Sequence, residues 1–426
     1  MSEVLRQIVA ANRADRGRGI YSICSAHPLV IEAAILQAKA DGSPLLIEAT
    51  CNQVNHQGGY TGMSPQDFRA YVHAIAERLQ FPVERLILGG DHLGPNPWRG
   101  QPAAQAMDEA KAMVAAYVRA GFSKVHLDAS MSCTDDEQTL PDEIVAERAA
   151  QLCMVAEAAA DPGAPPLYVI GTEVPVPGGA HEELQEIAAT RVDDLARTLA
   201  IQRQTFASRG LAPAWQRVIG VVVQPGVEFD HSAVVDYQPK KARALSAAIL
   251  DYPGLAYEAH STDYQTEAAL TNLVKDHFAI LKVGPALTYA AREAIFALSY
   301  IEDEWIGSGL VSNIRQLLDE RMRQNPHYWD LYYAGSEGER GFARKYSFSD
   351  RSRYYWTDPA VEAGVATLFR NLSDYPPPIT VLSQFLPSQY AALRVGKLDN
   401  EPRALVRHRI GEVIAGYTRA CGLSRQ

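Results

Sequence analysis

The 426-residue sequence is poor in cysteine and has neither a long basic run nor a long apolar run. Its five cysteines are odd in number and show no Cys-x-x-Cys spacing, which favours reduced thiols. The formal net charge is -10, so no nucleic-acid partner is expected. No run approaches the roughly 18 apolar residues of a membrane span, and the first residues lack a basic stretch followed by an apolar one. We therefore expect a cytoplasmic protein without a membrane partner.

Several catalytic motifs are absent as well. No G-x-x-x-x-G-K-[ST] is present, which excludes a P-loop kinase, and no G-x-S-x-G supports a serine hydrolase. H-E-x-x-H is missing, and His27 has no second histidine beside it to make the H-x-H of some metallohydrolase barrels. No G-x-G-x-x-G follows the first predicted strand, which argues against a doubly wound dinucleotide-binding sheet.

An alternation of strand-like and helix-like runs dominates the first three hundred residues. After an amphipathic helix at 2–14, the apolar runs predict strands at 20–25, 44–49, 86–89, 124–127, 167–171, 218–223, 255–259 and 278–283. The stretches between them, such as 29–40, 65–79, 103–120 and 142–160, have apolar residues at helical spacing. Eight such units predict an α/β fold, a (β/α)₈ TIM barrel over residues 1–300.

Beyond residue 300 the alternation ends. Helical patterns at 312–323, 359–372, 383–395 and 402–420 predict a helical extension over 301–426, packed on the barrel. An aromatic and basic stretch at 342–356 interrupts it, and the triple proline at 376–378 predicts a turn or spacer. Within the aromatic stretch, Arg351 and Arg353 suit phosphate oxygens, although such a run is more often a structural surface loop.

The stretch 86–98 is the strongest functional signal. A buried strand ends in two glycines that are followed at once by Asp91 and His92, the place where a parallel barrel keeps its chemistry. His92 can offer a neutral ring nitrogen to a divalent metal, and Asp91 beside it can move a proton. A hydrogen-bonded pair at a strand end remains the alternative.

Polar residues also follow the other predicted strands. Any one of them reads equally well as a satisfied polar group, but together they would repel or stay unpaired without a cation or polar ligand. The set is Ser25, His27, Glu48, Thr50, Asn52, Asp91, His92, Asp128, Ser130, Thr172, Glu173, Gln224, Glu258, His260, Asp263 and Lys282.

From this set we predict a divalent metal, zinc or manganese, bound by His92, Glu173 and His260. Asp91 would shuttle a proton while the metal polarises a ketose carbonyl. The alternative for Glu173 is a salt bridge with Lys282.

The remaining predicted roles concern the sugar. Glu48 and Asp128 would orient sugar hydroxyls or serve as a second acid and base. The predicted substrate-binding residues are Ser25, His27, Asn52, Lys282, Arg351 and Arg353.

Several motifs together resemble the GatZ/KbaZ family. They are EATCNQVN (48–55), GGYTGM (58–63), GGDHLGP (89–95), HLD (126–128), GTEVP (171–175), EAHSTD (258–263), LKVGP (281–285), SDR (349–351) and YYW (354–356). The resemblance covers nearly the whole chain and implies a TIM barrel. It implies a non-catalytic subunit of class II D-tagatose-1,6-bisphosphate aldolase, once labelled tagatose-6-phosphate kinase. Related proteins are metal-dependent 4-epimerases of tagaturonate or ketohexoses.

The sequence departs from the catalytic class II aldolases, which the resemblance makes distant relatives. Their metal histidine after the sixth strand is replaced by Gln224, and their glycine-rich phosphate turn after the seventh by Ser261-Thr262-Asp263. Two hypotheses therefore stay open. One is a metal-dependent retro-aldol 4-epimerase acting on a phosphorylated ketose or uronate-type sugar. The other is a purely stabilising subunit that binds a class II aldolase catalytic subunit.

Overall fold

The computed structural model describes residues 2–15, 17–171, 187–307, 309 and 311–424. In chain order its strands are β1 (Ile20–Ile23), β2 (Leu45–Thr50), β3 (Leu86–Leu93), β4 (Lys124–Leu127), β5 (Leu167–Gly171), β6 (Val218–Val222), β7 (Glu228–Phe229), β8 (Val234–Val235), β9 (Ala256–Ala259) and β10 (Phe278–Val283). Eight of these described strands close into a parallel barrel in the order β1-β10-β9-β6-β5-β4-β3-β2. β7 and β8 form a separate antiparallel pair. The predicted (β/α)₈ barrel is confirmed.

The helices cover the outside of the barrel and continue beyond it. They are α1 (Ser2–Asp15), α2 (Pro28–Asp41), α3 (Pro65–Arg78), α4 (Ala103–Arg119), α5 (Asp142–Ala159), α6 (Val192–Ser208), α7 (Ala212–Trp215), α8 (Pro239–Ala248), α9 (Glu267–Lys275), α10 (Pro285–Trp305), α11 (Ile314–Gln324), α12 (Glu337–Tyr346), α13 (Pro359–Asp374), α14 (Ile379–Phe385), α15 (Pro387–Arg394) and α16 (Pro402–Ala420). None of the described helices is both long and apolar enough to cross a bilayer.

The amino-terminal end of the barrel is apolar and closed. Leu5 and Val9 of α1 pack against the first inward-facing side chains of the strands, including Ile20, Leu46 and Ile87. Burying this apolar surface fixes α1 across the barrel base. Polar side chains inside the barrel therefore gather towards the opposite, carboxyl-terminal mouth, the end at which TIM barrels carry their active sites.

The helical extension packs on the barrel through its last helix, α16, which contacts α2, α9 and α10. The boundary at residue 300 stays a prediction, and position 300 lies within α10. The stretch 342–356 begins in α12 and ends in a short 3-10 segment, Arg351–Tyr355. That segment returns the chain to the barrel mouth.

A buried carboxylate fastens the extension to the barrel. Glu32 on α2 is almost fully buried and accepts hydrogen bonds from Arg403 at 2.9 and 3.1 Å. Arg407, also on α16, lies 3.3 Å away, and Arg78 on α3 pairs with the same carboxylate. Burial alone would raise the pKa of Glu32, but the three arginines outweigh burial and lower that pKa.

Replacing Glu32 by glutamine should lower the free energy of unfolding by about 1–3 kcal/mol, since charge-assisted hydrogen bonds are lost. Because the folded-state pKa is lowered, this stabilisation is present above the unfolded pKa of 4.5 and is lost as the pH falls through the folded value. Chemical denaturation across that range measures both effects.

Glu267→Gln is the matched control, because Glu267 also pairs with α16, through Arg419, but both partners are half exposed. Its cost should be about 0–1 kcal/mol. Equal costs for the two variants at neutral pH would contradict the assignment of Glu32 as the fastening group.

Candidate active site

A bulge in β3 brings Asp91 and His92 into the barrel together. These two residues lie opposite the single residue His126 of β4, and His92 takes a left-handed backbone with φ of 50°. Neighbouring side chains of a regular strand point to opposite faces. The bulge instead lets Asp91 contact His126 while His92 contacts Asp128. We expected this strand to end at residue 89; it continues through the functional pair.

Two glycines of the same motif make room for functional groups. A Cβ atom at Gly94 would lie 1.5 Å from the carbonyl oxygen of Asp128, and one at Gly89 would lie 2.8 Å from Cγ of Glu48. Backbone and side chain approach too closely at both positions for any larger residue. The glycines therefore serve the packing of the site itself.

A layer of paired charges lies beneath the mouth. Lys124 Nζ is 2.5 Å from Glu48 Oε1 and 2.7 Å from Glu258 Oε2, and all three side chains are completely buried. Lys282 Nζ pairs with Glu48 and lies 3.0 Å from Asp91 Oδ1. The sequence analysis did not identify Lys124 as a site residue, because it is the first residue of a short apolar strand and belongs to no recognisable motif.

The charges of this layer do not balance. The four buried carboxylates Glu48, Asp91, Asp128 and Glu258 face the two ammonium groups of Lys124 and Lys282 and the imidazolium of His92. The layer therefore carries a net charge of −1, which becomes −2 when a metal displaces the proton of His92. Unbalanced buried charge is costly. A divalent cation would neutralise the layer.

Three imidazoles lie close together between this charge layer and the barrel mouth. The ring centroids of His92, His126 and His260 are 4.8 to 5.2 Å apart. His126 Nδ1 lies 3.0 Å from Asp91 Oδ1, which leaves the buried Nε2 of His126 without a partner among the described residues. His260 Nε2 lies 3.0 Å from Glu258 Oε1. An unpartnered buried ring nitrogen fits a metal ligand.

The donor set fits a divalent transition metal. Asp91, His126, Glu258 and His260 each offer one ligand atom, and these atoms all lie within 4.8 Å of one another. Nitrogen and carboxylate donors suit zinc and also manganese. The group includes the predicted ligand His260 and adds His126, for which the only signal in the sequence was the HLD motif.

The other two predicted metal ligands, His92 and Glu173, are not part of this group of four residues. His92 lies beside His260, with Nδ1 held 2.8 Å from Asp128 Oδ2, the orientation that a carboxylate gives to many metal-binding histidines. Glu173 lies outside the described residues.

The pKa values of Asp91 and His92 are shifted in opposite directions. Burial alone would raise the pKa of Asp91, but His92, His126 and His260 outweigh it and hold that pKa well below its usual range. Burial opposes the charged form of His92, yet Asp91 and Asp128 raise its pKa to about 9. Asp91 is therefore ionised at neutral pH.

A cavity open to solvent leads to the cluster. Asp91, His92 and His260 line its floor, and Asn52 and Lys282 line it as predicted substrate-binding residues. The walls include Tyr60, Phe229, Asp263, Arg353 and Tyr354. The helical extension thus contributes side chains to the mouth.

Other predicted site residues lie elsewhere. Ser25 and His27 line a more apolar cavity that adjoins the mouth and shares Tyr60 and Arg353 with it. Arg351 lies 3.1 Å above the ring of Tyr332 and donates to the carbonyl of Tyr328. Glu48 and Asp128 are buried beneath the floor. The structure therefore separates these five residues from the walls of the mouth.

The side chain of Gln224 stabilises the turn in which it lies. Its side-chain oxygen accepts hydrogen bonds from the backbone of Gly226 at 2.8 Å and Val227 at 3.0 Å, so it caps its own turn.

Replacing Lys124 by methionine should lower the free energy of unfolding by about 3–5 kcal/mol, because two buried carboxylates lose their partner. Adding Glu48→Gln in the same chain should recover part of this loss, since one uncompensated charge is removed. Urea denaturation of the single and double variants measures the coupling. A loss below about 1 kcal/mol for the single variant would contradict the charge layer.

Comparisons with known proteins agree with the motifs. A model of the family described as D-tagatose-1,6-bisphosphate aldolase subunit GatZ/KbaZ-like matches residues 5–422. The structure of a probable tagatose 6 phosphate kinase from Sinorhizobium meliloti 1021 is 46% identical, with a TM-score of 0.88, covering 95% of this chain and all of that one.

Two aldolase structures are more distant. Fructose-bisphosphate aldolase from Campylobacter jejuni is 14% identical with a TM-score of 0.49, covering 88% of this chain and 93% of that one. The YdjI aldolase from Escherichia coli K12 is 11% identical with a TM-score of 0.41, covering 85% and 96%. The match over nearly the whole chain confirms the predicted resemblance. The chain belongs to the D-tagatose-1,6-bisphosphate aldolase subunit GatZ/KbaZ-like family, whose function lies in carbohydrate metabolism.

Proposed function

We propose that the barrel mouth is a metal-dependent active site that breaks and re-forms the C3–C4 bond of a ketose or ketose phosphate and so inverts C4. One observation supports this most directly. A buried layer with excess negative charge and an unpartnered imidazole nitrogen lies at the floor of a cavity open to solvent. A subunit that served only as a scaffold would have no need of such a layer.

His126, His260 and Glu258 would hold the cation, zinc or manganese, with His92 as a further ligand oriented by Asp128. The cation supplies Lewis acidity towards a ketose carbonyl and its neighbouring hydroxyl. Asp91 is then left free to move protons. The predicted ligand Glu173 stays a prediction.

Asp91 is the base in this proposal. It accepts the proton of the C4 hydroxyl, the C3–C4 bond breaks, and its electron pair passes towards the C2 carbonyl while C4 becomes an aldehyde. Rotation of the aldehyde exposes its other face, C3 adds back to C4, and Asp91 returns the proton. Lys282 at 3.0 Å and His126 at 3.0 Å hold the carboxylate in position.

The walls of the mouth suit a charged sugar. Arg353 offers a guanidinium for a phosphate or carboxylate group, while Asn52 is placed to bind hydroxyl groups. Tyr60 and Tyr354 add an aromatic wall, with ring centroids 4.7 Å apart.

Metal binding tests the centre without any turnover. Calorimetric titration of Zn²⁺ or Mn²⁺ into chelator-treated protein should give a single site per chain. His126→Ala should weaken it by at least about tenfold, and Asp128→Asn by about 10–100-fold, as for other carboxylates behind a metal-bound histidine. His327→Ala, which removes an exposed imidazole outside the proposed ligand set, should leave metal affinity unchanged. Binding by His126→Ala equal to that of the natural chain would contradict the proposed ligand set.

Turnover is tested separately. The metal-loaded protein, incubated with tagatose 6-phosphate, fructose 6-phosphate or tagaturonate, should give the 4-epimer. Asp91→Asn should lower kcat by at least about 100-fold while it retains metal. Metal bound without any 4-epimer, or full turnover by Asp91→Asn, would refute the mechanism.

A second candidate function rests on the family match. The chain would stabilise a class II aldolase catalytic subunit by association, with or without its own chemistry. Co-expression with such a subunit should lengthen the half-life of the aldolase during thermal inactivation. Asp91→Asn should stabilise the aldolase equally well, because association does not need the base. An unchanged half-life would eliminate this role.

A further inference from the structure

The loop after β9 places an acid where TIM barrels commonly bind phosphate. That place is formed by the loops after the seventh and eighth barrel strands together with a helix amino terminus, whose free N–H groups attract anions. Here β9 and β10 are those strands and α10 is the helix. Asp263 Oδ1 accepts hydrogen bonds from the backbone N–H groups of Gly284 at 3.0 Å and Ala286 at 2.8 Å. The chain's own carboxylate therefore occupies the start of α10.

The loop that carries Asp263 is held on both sides. Thr262 Oγ1 donates to the carbonyl of Lys282 at 2.5 Å, and the Tyr417 hydroxyl of α16 donates to the carbonyl of Thr262 at 2.7 Å. On the other side the Tyr264 hydroxyl donates to the carbonyl of Phe348 at 2.6 Å. Ser261 and Tyr264, which flank this part of the loop, both have left-handed backbones, with φ of 52° and 63°. Contacts with the extension thus fix the carboxylate at the helix terminus.

Few cations remain at the mouth for an anionic ligand. Lys282 and Arg353 line the cavity, but Lys282 is neutralised by Glu48 and Asp91. Arg353 donates to Tyr354 and to backbone carbonyls, and it forms no ion pair with a carboxylate among the described residues. Residues 172–186 contain no lysine or arginine. The mouth therefore provides a binding group for one anionic substituent.

We propose that the site accepts ketoses with a single phosphate or carboxylate group and discriminates against ketose bisphosphates, because Asp263 fills the second anion position with negative charge. This inference rests on the proposed function for its ketose substrate. The capped helix terminus itself is independent of any turnover.

Inorganic phosphate tests the cap directly. Calorimetric titrations are made at about pH 8, where Asp263 is ionised, since burial raises its pKa to about 6. Asp263→Gly frees two backbone N–H groups and removes a charge, so it should bind phosphate at least about tenfold more tightly than the natural chain. Asp263→Asn removes the charge but keeps an oxygen for the N–H groups, and it should gain less.

Asp399→Gly is the matched control, because it removes one exposed acid of the extension, and its phosphate affinity should equal that of the natural chain. Far-ultraviolet circular dichroism and thermal melting establish that each variant is folded. A folded Asp263→Gly chain with unchanged phosphate affinity would overturn the inference.

The natural chain provides a test that needs no variant. Metal-loaded protein should bind fructose 6-phosphate at least about tenfold more tightly than fructose 1,6-bisphosphate, because the second phosphate of the bisphosphate would meet the carboxylate of Asp263 instead of a cation. Equal or tighter binding of the bisphosphate would overturn the inference even if 4-epimer forms. If fructose 6-phosphate binds more tightly than the bisphosphate but no 4-epimer forms, the result counts against the proposed function and leaves this inference standing. If neither sugar binds, the inorganic phosphate comparison decides.

Discussion

The imbalance of buried charge beneath the barrel mouth is the constraint on which the rest of the site depends. Lys124 pairs with Glu48 and Glu258 in the centre of the barrel, and Lys282 pairs with Glu48 and Asp91. The apolar base, closed by α1, leaves the mouth as the side from which a cation can enter. The same layer therefore accounts both for the stability of the polar core and for the affinity that we propose for a divalent metal.

The helical extension completes the mouth. Its segment Arg351–Tyr355 provides Arg353 and Tyr354 as walls of the cavity, and Tyr417 of α16 holds the loop that carries Asp263. A barrel without this extension would keep the charge layer and Asp263 but lose Arg353, the cation that we propose to bind the anionic group of the substrate. In our proposal the metal ligands come from the barrel, and the side chains that contact the substrate come from both the barrel loops and the extension, as in TIM barrels that vary their loops.

Much of the fold follows from the sequence, because eight apolar runs separated by helical spacing leave few arrangements other than a barrel. The site is less predictable. Asp91 and His92 stand directly after the Gly-Gly pair of β3, and His260 follows β9, so all three could be found from the sequence. His126 lies inside the short strand β4 and became a candidate ligand only through its contacts. The β3 bulge was hidden because a Gly-Gly pair is typical of a strand end. Arg351 and Arg353 are equivalent in the sequence, and only tertiary packing directs one to the mouth.

Anomalous diffraction at the zinc absorption edge, from crystals grown with the metal, tests the central claim most directly. The account predicts one strong peak at the mouth, about 2.0–2.1 Å from His126 Nε2 and a nitrogen of His260. An empty mouth in crystals that contain zinc elsewhere, with His126 Nε2 bonded only to water or protein, would contradict it.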